Sequence, residues 1–111
     1  MTVSVNKDVS SLQEKQLAQF LDGNITSGSG CGKFNGGDVV TEDFLIECKT
    51  VTKPQTSFSV KREWLDKVSE QSFEQGKQYS ALAIRFDPNE NMDYIVISRD
   101  LFKELISRSA D

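Results

Sequence analysis

The apolar residues of this chain follow two different periods, and the change of period marks its elements. Leu17, Ala18 and Leu21 fall at helical spacing, which predicts a helix from about Ser11 to Asp22. Ser11 stands where an N-cap would, Glu14 occupies the capping-box position, and Gly23 supplies a stop. Residues 1–9 read as a loose arm before it. Six of the seven glycines then lie between Gly23 and Gly37, a long loop with room for one short strand. Two short apolar runs follow, Asp38–Thr41 and Phe44–Thr50, and predict adjacent strands or a hairpin. Pro54 breaks the chain. Trp64, Leu65 and Val68 return to helical spacing, predicting a helix from about Val60 to Gln75 with Ser59 as its cap and Gly76 as its stop. Tyr79–Phe86 and Tyr94–Ser98 read as strands around a turn at Asp87-Pro88-Asn89. A last helix follows Asp100 and packs through Leu101, Phe102, Leu105 and Ile106. The expected fold is α/β, with a mixed four- to five-stranded sheet flanked by helices.

Length narrows this to one domain over residues 1–111, because 111 residues is an ordinary single-domain size. The chain has no histidine, so histidine-dependent nucleophilic catalysis and histidine-ligated metals are excluded. Cys31 and Cys48 are its two cysteines, too few for a zinc site. They are expected to be a free loop thiol and a buried small side chain. The first residues lack the apolar core of a signal peptide, and no apolar run approaches the ~20 residues that span a bilayer. These features lead us to expect an intracellular, cytoplasmic protein with no membrane partner. Thirteen Lys and Arg against seventeen Asp and Glu give a net charge of −4, which by itself disfavours a sequence-blind nucleic-acid binder.

The glycine-rich stretch Gly28-Ser29-Gly30-Cys31-Gly32-Lys33 imitates a phosphate-binding P-loop but lacks its grammar. Ser27 stands where the first glycine belongs, Phe34 stands where Ser or Thr belongs, and the loop follows a helix instead of a strand. Its exposed backbone N–H groups could still approach a phosphodiester closely.

The chemistry concentrates in the next segment. Alternation along Phe44–Thr50 puts Phe44, Ile46 and Cys48 on one face and Leu45, Glu47 and Lys49 on the other. A carboxylate and an ammonium among aliphatics are costly unless paired or bound to metal. Asp38 lies nine residues earlier on the neighbouring strand and can approach Glu47. Two close carboxylates favour a divalent cation between them, and oxygen-only ligands suit Mg²⁺ or Mn²⁺. Lys49 could orient an attacking water or balance charge on a phosphorane-like transition state. Glu14 lies on the inward side of its helix, either as a plain capping residue or as a third member of the set. The bland alternative for Asp38, Glu47 and Lys49 is an ion pair on an edge strand.

The ordered set Glu14, Ser29-Gly30, Gly37-Asp38-Val39 and Glu47-Cys48-Lys49-Thr50 resembles the PD-(D/E)XK nuclease superfamily. Within it, the small phage and archaeal Holliday-junction resolvases are the most similar. The resemblance spans about residues 11–86, and includes Lys61-Arg62-Glu63-Trp64-Leu65, Glu70-Gln71-Ser72 and Gly76-Lys77. Gly37 replaces the superfamily's proline before the first aspartate. The resemblance implies a restriction-endonuclease-like αβββαβ core and Mg²⁺-dependent DNA hydrolysis, with Mn²⁺ as a substitute. Asp38 and Glu47 would hold the metal, Glu14 would contribute directly or through water, and Lys49 would assist the attacking water. A homodimer cutting a four-way junction symmetrically, in recombination and in a phage-encoded setting among others, is also implied. The alternatives are a related nuclease acting on mismatches, ends or specific sequences, and a non-catalytic nucleic-acid-binding module on the same scaffold.

Lys49, Lys53, Lys61 and Arg62 make residues 49–62 a run of four basic residues without an acid, suited to a phosphate backbone. Ser29, Gly30 and Lys33 of the glycine loop join Lys53, Lys61 and Arg62 as DNA-binding candidates. Ser59 and Gln71 are candidates for supporting the site, although Ser59 reads equally well as a cap and Gln71 as a partly buried polar residue. Trp64 and Phe73 are expected in the core. Six acids lie between Asp87 and the C-terminal residue, so the negative total falls away from this basic face.

Overall fold

The computed structural model describes residues 2–26 and 38–109, with side chains over residues 8–26 and 38–108. The element order is α1 (Thr2–Leu21), β1 (Asn24–Ile25), β2 (Asp38–Val40), β3 (Phe44–Thr50), α2 (Arg62–Glu74), β4 (Tyr79–Arg85), β5 (Tyr94–Val96) and α3 (Arg99–Ser109). Among the described residues, the five strands form one mixed open sheet in the order β1-β2-β3-β4-β5. Only β3 and β4 run parallel, joined through α2; the other neighbours are antiparallel. This is the α/β architecture with a mixed sheet that the two periodicities indicate.

The alternation along β3 is what separates the two cores. Ile46, with Phe44 and Cys48 beside it, packs with Val39, Ala81 and Ala83 against Leu17 and Ala18 of α1. Leu45 packs with Leu82 against Val68, Trp64 and Leu65 of α2. Val39, Leu45, Leu82 and Ala83 have no exposed surface. Val39, Leu45 and Leu82 each contribute about 1.5–3 kcal/mol by leaving water, and Ala83 less.

Four details depart from the sequence expectations. The first helix begins at Thr2, not near Ser11, and the arm assigned to residues 1–9 is helical from residue 2. Residues 2–10 contain no glycine or proline, so nothing interrupts propagation from the packed turns that follow. Ser11 is therefore an exposed mid-helix residue, and Glu14 is not a capping-box residue. Helix α2 starts at Arg62 with extended Lys61 as N-cap and no side-chain cap hydrogen bond, so Ser59 does not cap it. Phe73, expected in the core, is 84% exposed. In α3, Leu101 is buried, but Phe102 and Ile106 are exposed.

Both expected helix stops hold, by different means. At Gly76 (φ +74°) the N–H groups of Gly76 and Lys77 bond the carbonyls of Phe73 and Ser72, the paired bonds of a Schellman ending. At the end of α1 the left-handed residue is Asp22 (φ 58°), while Gly23 donates to the Ala18 carbonyl at 2.8 Å. Glycine is required at 23 for space: a Cβ there would lie 2.5 Å from the Val40 carbonyl oxygen.

A candidate cation and phosphodiester site

The antiparallel pairing of β2 with β3 sets Asp38 directly opposite Glu47. Opposed residues in such a pair project to the same face, so the two carboxylates share the α2 side of the sheet. Lys49, two residues on, shares that face and pairs with Glu47 (Nζ to Oε2, 3.0 Å). Its ammonium also lies 4.4 Å from the centre of the Trp64 ring, a cation–π contact that holds the amine between α2 and the strand. The group sits at the carboxyl end of the parallel pair β3–β4, the end at which open α/β sheets bind ligands.

The electrostatics are those of a pair short of positive charge. Burial pushes the Asp38 carboxyl up to about 6, and the Glu47 carboxylate adds to the rise; Lys67 and Lys49 oppose it. Glu14 is 8% exposed. Its carboxyl is raised as well, first by burial and then by Asp38. Glu14 comes from α1, which packs on the other face, so it approaches the pair from across the sheet. Among the described residues no three Asp, Glu, Cys or His side chains gather as a ready-made metal group. The unit is thus two facing carboxylates, a lysine paired to one of them, and a third carboxylate within electrostatic reach. Its hard oxygen donors and its excess negative charge fit Mg²⁺ or Mn²⁺.

Of the other candidates, Lys53, Lys61 and Arg62 are exposed. Lys61 stands 5.7 Å from the Trp64 ring, and Arg62 pairs with Asp66 at 3.6 Å on an exposed turn. Gln71 is half-buried, one turn beyond Lys67. Ser59 lines an open concavity with Val51, Thr52, Gln55, Ser57 and Phe58. Ser29, Gly30, Cys31, Lys33 and Gly37 lie outside the described residues. Cys48 is packed against the α1-side core; burial and the Glu14, Asp93 and Asp38 carboxylates push its thiol up, which makes it an inert structural cysteine.

Two features escaped the sequence reading. One is Lys67, which faces Asp38 electrostatically; its position three residues after Trp64 was the available signal. The other lies under the site, on the α1 face. Arg85 is 1% exposed and makes two bonds to Asp93, Nε to Oδ1 at 2.9 Å and Nη2 to Oδ2 at 2.7 Å. Its Nη1 donates to Gln16 Oε1 at 2.7 Å. Buried Gln13 donates from Nε2 to Asp93 Oδ1, to the Ala83 carbonyl and to the Lys49 carbonyl. The network therefore ties α1 to the backbone of Lys49 itself.

The Asp38 shift has a measurable consequence. Its carboxyl holds a proton in the folded chain up to about pH 6, whereas the unfolded chain releases it near pH 4. The folded state binds more protons in that window, so stability falls as pH rises through it. The favourable contribution is complete below pH 4 and gone above pH 6. Without divalent cations, Asp38→Asn should therefore be more stable than the parent at pH 7.5 by about 1–2 kcal/mol after solvent screening. That corresponds to a melting temperature roughly 4–10 °C higher. The two proteins should converge at pH 4. Equal melting temperatures at pH 7.5 would show that the pair is not under charge strain.

Compared with known protein families, curated proteins and solved structures, the chain gives no match. Among the described residues, no helix is long and apolar enough to cross a membrane.

Proposed function

We propose that this protein is a Mg²⁺-dependent DNA endonuclease, acting in the cytoplasm as a homodimer on branched DNA such as a four-way junction. The observation that carries the reading is the cross-strand pairing of Asp38 with Glu47, with Lys49 paired to Glu47 on the same face. The order α1-β1-β2-β3-α2-β4 supports it, being the αβββαβ order that the nuclease resemblance implies. So does the location of Glu14, which is buried near Asp38 and is not capping the helix.

Asp38 and Glu47 would hold the cation, with Glu14 contributing through water from the other face. A divalent cation held by these carboxylates would supply positive charge for a phosphodiester and would acidify a water. Lys49 does the remaining work. Glu47 and the Trp64 ring fix its amine in place. From there it can hold the attacking water by a hydrogen bond and balance negative charge developing on the phosphoryl oxygens. The exposed Lys53, Lys61 and Arg62 neutralise flanking phosphates, so affinity should weaken with salt.

A panel of labelled DNAs tests the reading: a four-way junction, a mismatched duplex, a free-ended duplex and a plain closed duplex, each with Mg²⁺ or EDTA. Paired, symmetric nicks in the junction, dependent on Mg²⁺, are expected. Cutting confined to mismatches or ends would keep the nuclease and remove the junction. No cutting of any substrate in Mg²⁺ or Mn²⁺ would remove the enzyme altogether.

A further inference from the structure

Across β3, β4 and β5, Lys49 is in register with Ile84, and Ile84 with Tyr94. The three residues form one row on the α2 face. With strands about 4.8 Å apart, the Cα atoms of Lys49 and Tyr94 lie about 10 Å apart. Aromatic rings follow the same course. Trp64, beneath Lys49, meets Phe58 at 6.4 Å between centroids; Phe58 meets Phe86 at 6.0 Å; Phe86 meets Tyr94 at 5.7 Å. All three contacts are edge-on, with interplanar angles of 62–86°, so the rings do not stack on one another. Tyr94 is 56% exposed, with Met92 at 53% two residues before it, while Trp64, Phe58 and Phe86 are half-buried.

The concavity lined by Thr52, Gln55, Ser57, Phe58 and Ser59 adjoins this row, and brings hydroxyl and amide groups to the edge of an aromatic surface. A hydrogen bond of 2.9 Å from the Gln55 N–H to the Phe86 carbonyl ties this loop to the end of β4. The segment from Lys49 to Arg62 that forms it is basic and lacks an acid. An exposed aromatic ring at Tyr94, polar groups at the edge of the half-buried rings beside it and unopposed lysines are the elements that bind unpaired nucleotides: bases stack on rings and phosphates meet cations.

We propose that the row from Trp64 to Tyr94 is a subsite for single-stranded nucleic acid, with Tyr94 as its outer stacking platform and Lys53 and Lys61 on the backbone. The inference deepens the nuclease reading, on which it rests for the substrate's approach to Lys49. It adds, to the branched substrate, a place for bases that become unpaired at the branch point next to the scissile bond. The stretch of strand between Lys49 and Tyr94 spans one to two nucleotides.

The test uses the whole protein and a 12-nucleotide single strand carrying 2-aminopurine, in EDTA so that cutting cannot interfere, with the matching duplex alongside. Binding should quench the single-strand fluorescence. Tyr94→Ala should weaken single-strand binding about 5- to 100-fold, and by more than it weakens duplex binding. Tyr94→Phe should restore it, and Phe73→Ala, on an exposed ring away from the row, should leave it unchanged. Single-strand binding equal to the parent's in Tyr94→Ala, or binding without quenching, would overturn the subsite. So would an effect of Tyr94→Ala on self-association alone, which would make the row a contact between copies. Adding Mg²⁺ separates the two readings. Tyr94-dependent strand binding with no cutting of any DNA in the panel above, the four-way junction included, upholds the subsite and removes the nuclease. Cutting with a Tyr94-independent strand preference does the reverse.

Discussion

Lys49→Ala should lose cleavage by roughly 10²- to 10⁴-fold while keeping its fold and its affinity for Mg²⁺ or Mn²⁺. The amine is held by two contacts outside the apolar core, the 3.0 Å pairing with Glu47 and the Trp64 ring. Removing it frees the Glu47 carboxylate without opening the core. Lys49→Arg should recover little, because a planar guanidinium cannot place a compact charge at the same point. Glu47→Gln should behave differently. It removes one of the two carboxylates, so it should lose cation affinity and cleavage together. Measuring single-turnover cleavage beside cation binding for both variants separates the roles. If Lys49→Ala loses cation binding in step with cleavage, the amine is structural and the division of labour proposed for the site is wrong.

Asp93→Ala should destabilise the protein by about 3–5 kcal/mol, the usual cost of stranding a buried charge. Arg85 would keep only its bond to Gln16, in a position that is 1% exposed. Gln13 would also lose its Asp93 acceptor, loosening its tie to the Lys49 carbonyl. Against a typical total of 5–15 kcal/mol, that loss consumes much of the stability, and urea unfolding at pH 7 measures it directly. The paired replacement Arg85→Met with Asp93→Leu should recover most of the stability, since apolar pairs of similar volume often match buried ion pairs. A loss below 1 kcal/mol for Asp93→Ala would mean that water reaches Arg85.

What the sequence made legible was what rests on short-range pattern. The period-two alternation of Phe44–Thr50 assigned Glu47 and Lys49 to one face, and nine residues of separation were enough to bring Asp38 opposite Glu47. The inward position of Glu14 followed from its spacing to Leu17 and Ala18. The Arg85–Asp93–Gln13 network was not legible, because its bonds join residues 8 to 80 apart. Arg85, the one charged residue of β4, is its visible trace. The start of α1 was misread because a serine with a glutamate three residues on is a good cap only where the helix begins. Once residues 2–10 are helical, the same two residues have other surroundings. Phe73 is apolar yet points outward, because the positions that α2 turns to the sheet are Trp64, Leu65, Val68 and Ser72; in α3 it is Leu101 that is buried, and Phe102 is exposed.

The most direct measurement of the central claim, that Asp38 and Glu47 form a divalent-cation site, is thermal unfolding at pH 7.5 across a titration of Mg²⁺ and of Mn²⁺. A ligand that binds only the folded state stabilises it by about 2.7 kcal/mol at a hundredfold excess over its dissociation constant. The wild-type melting temperature should therefore climb with cation concentration, and Asp38→Asn and Glu47→Gln should show little or no climb from their own baselines. A wild-type protein whose melting temperature stays flat in both cations, or variants that climb as steeply as wild type, would contradict the account.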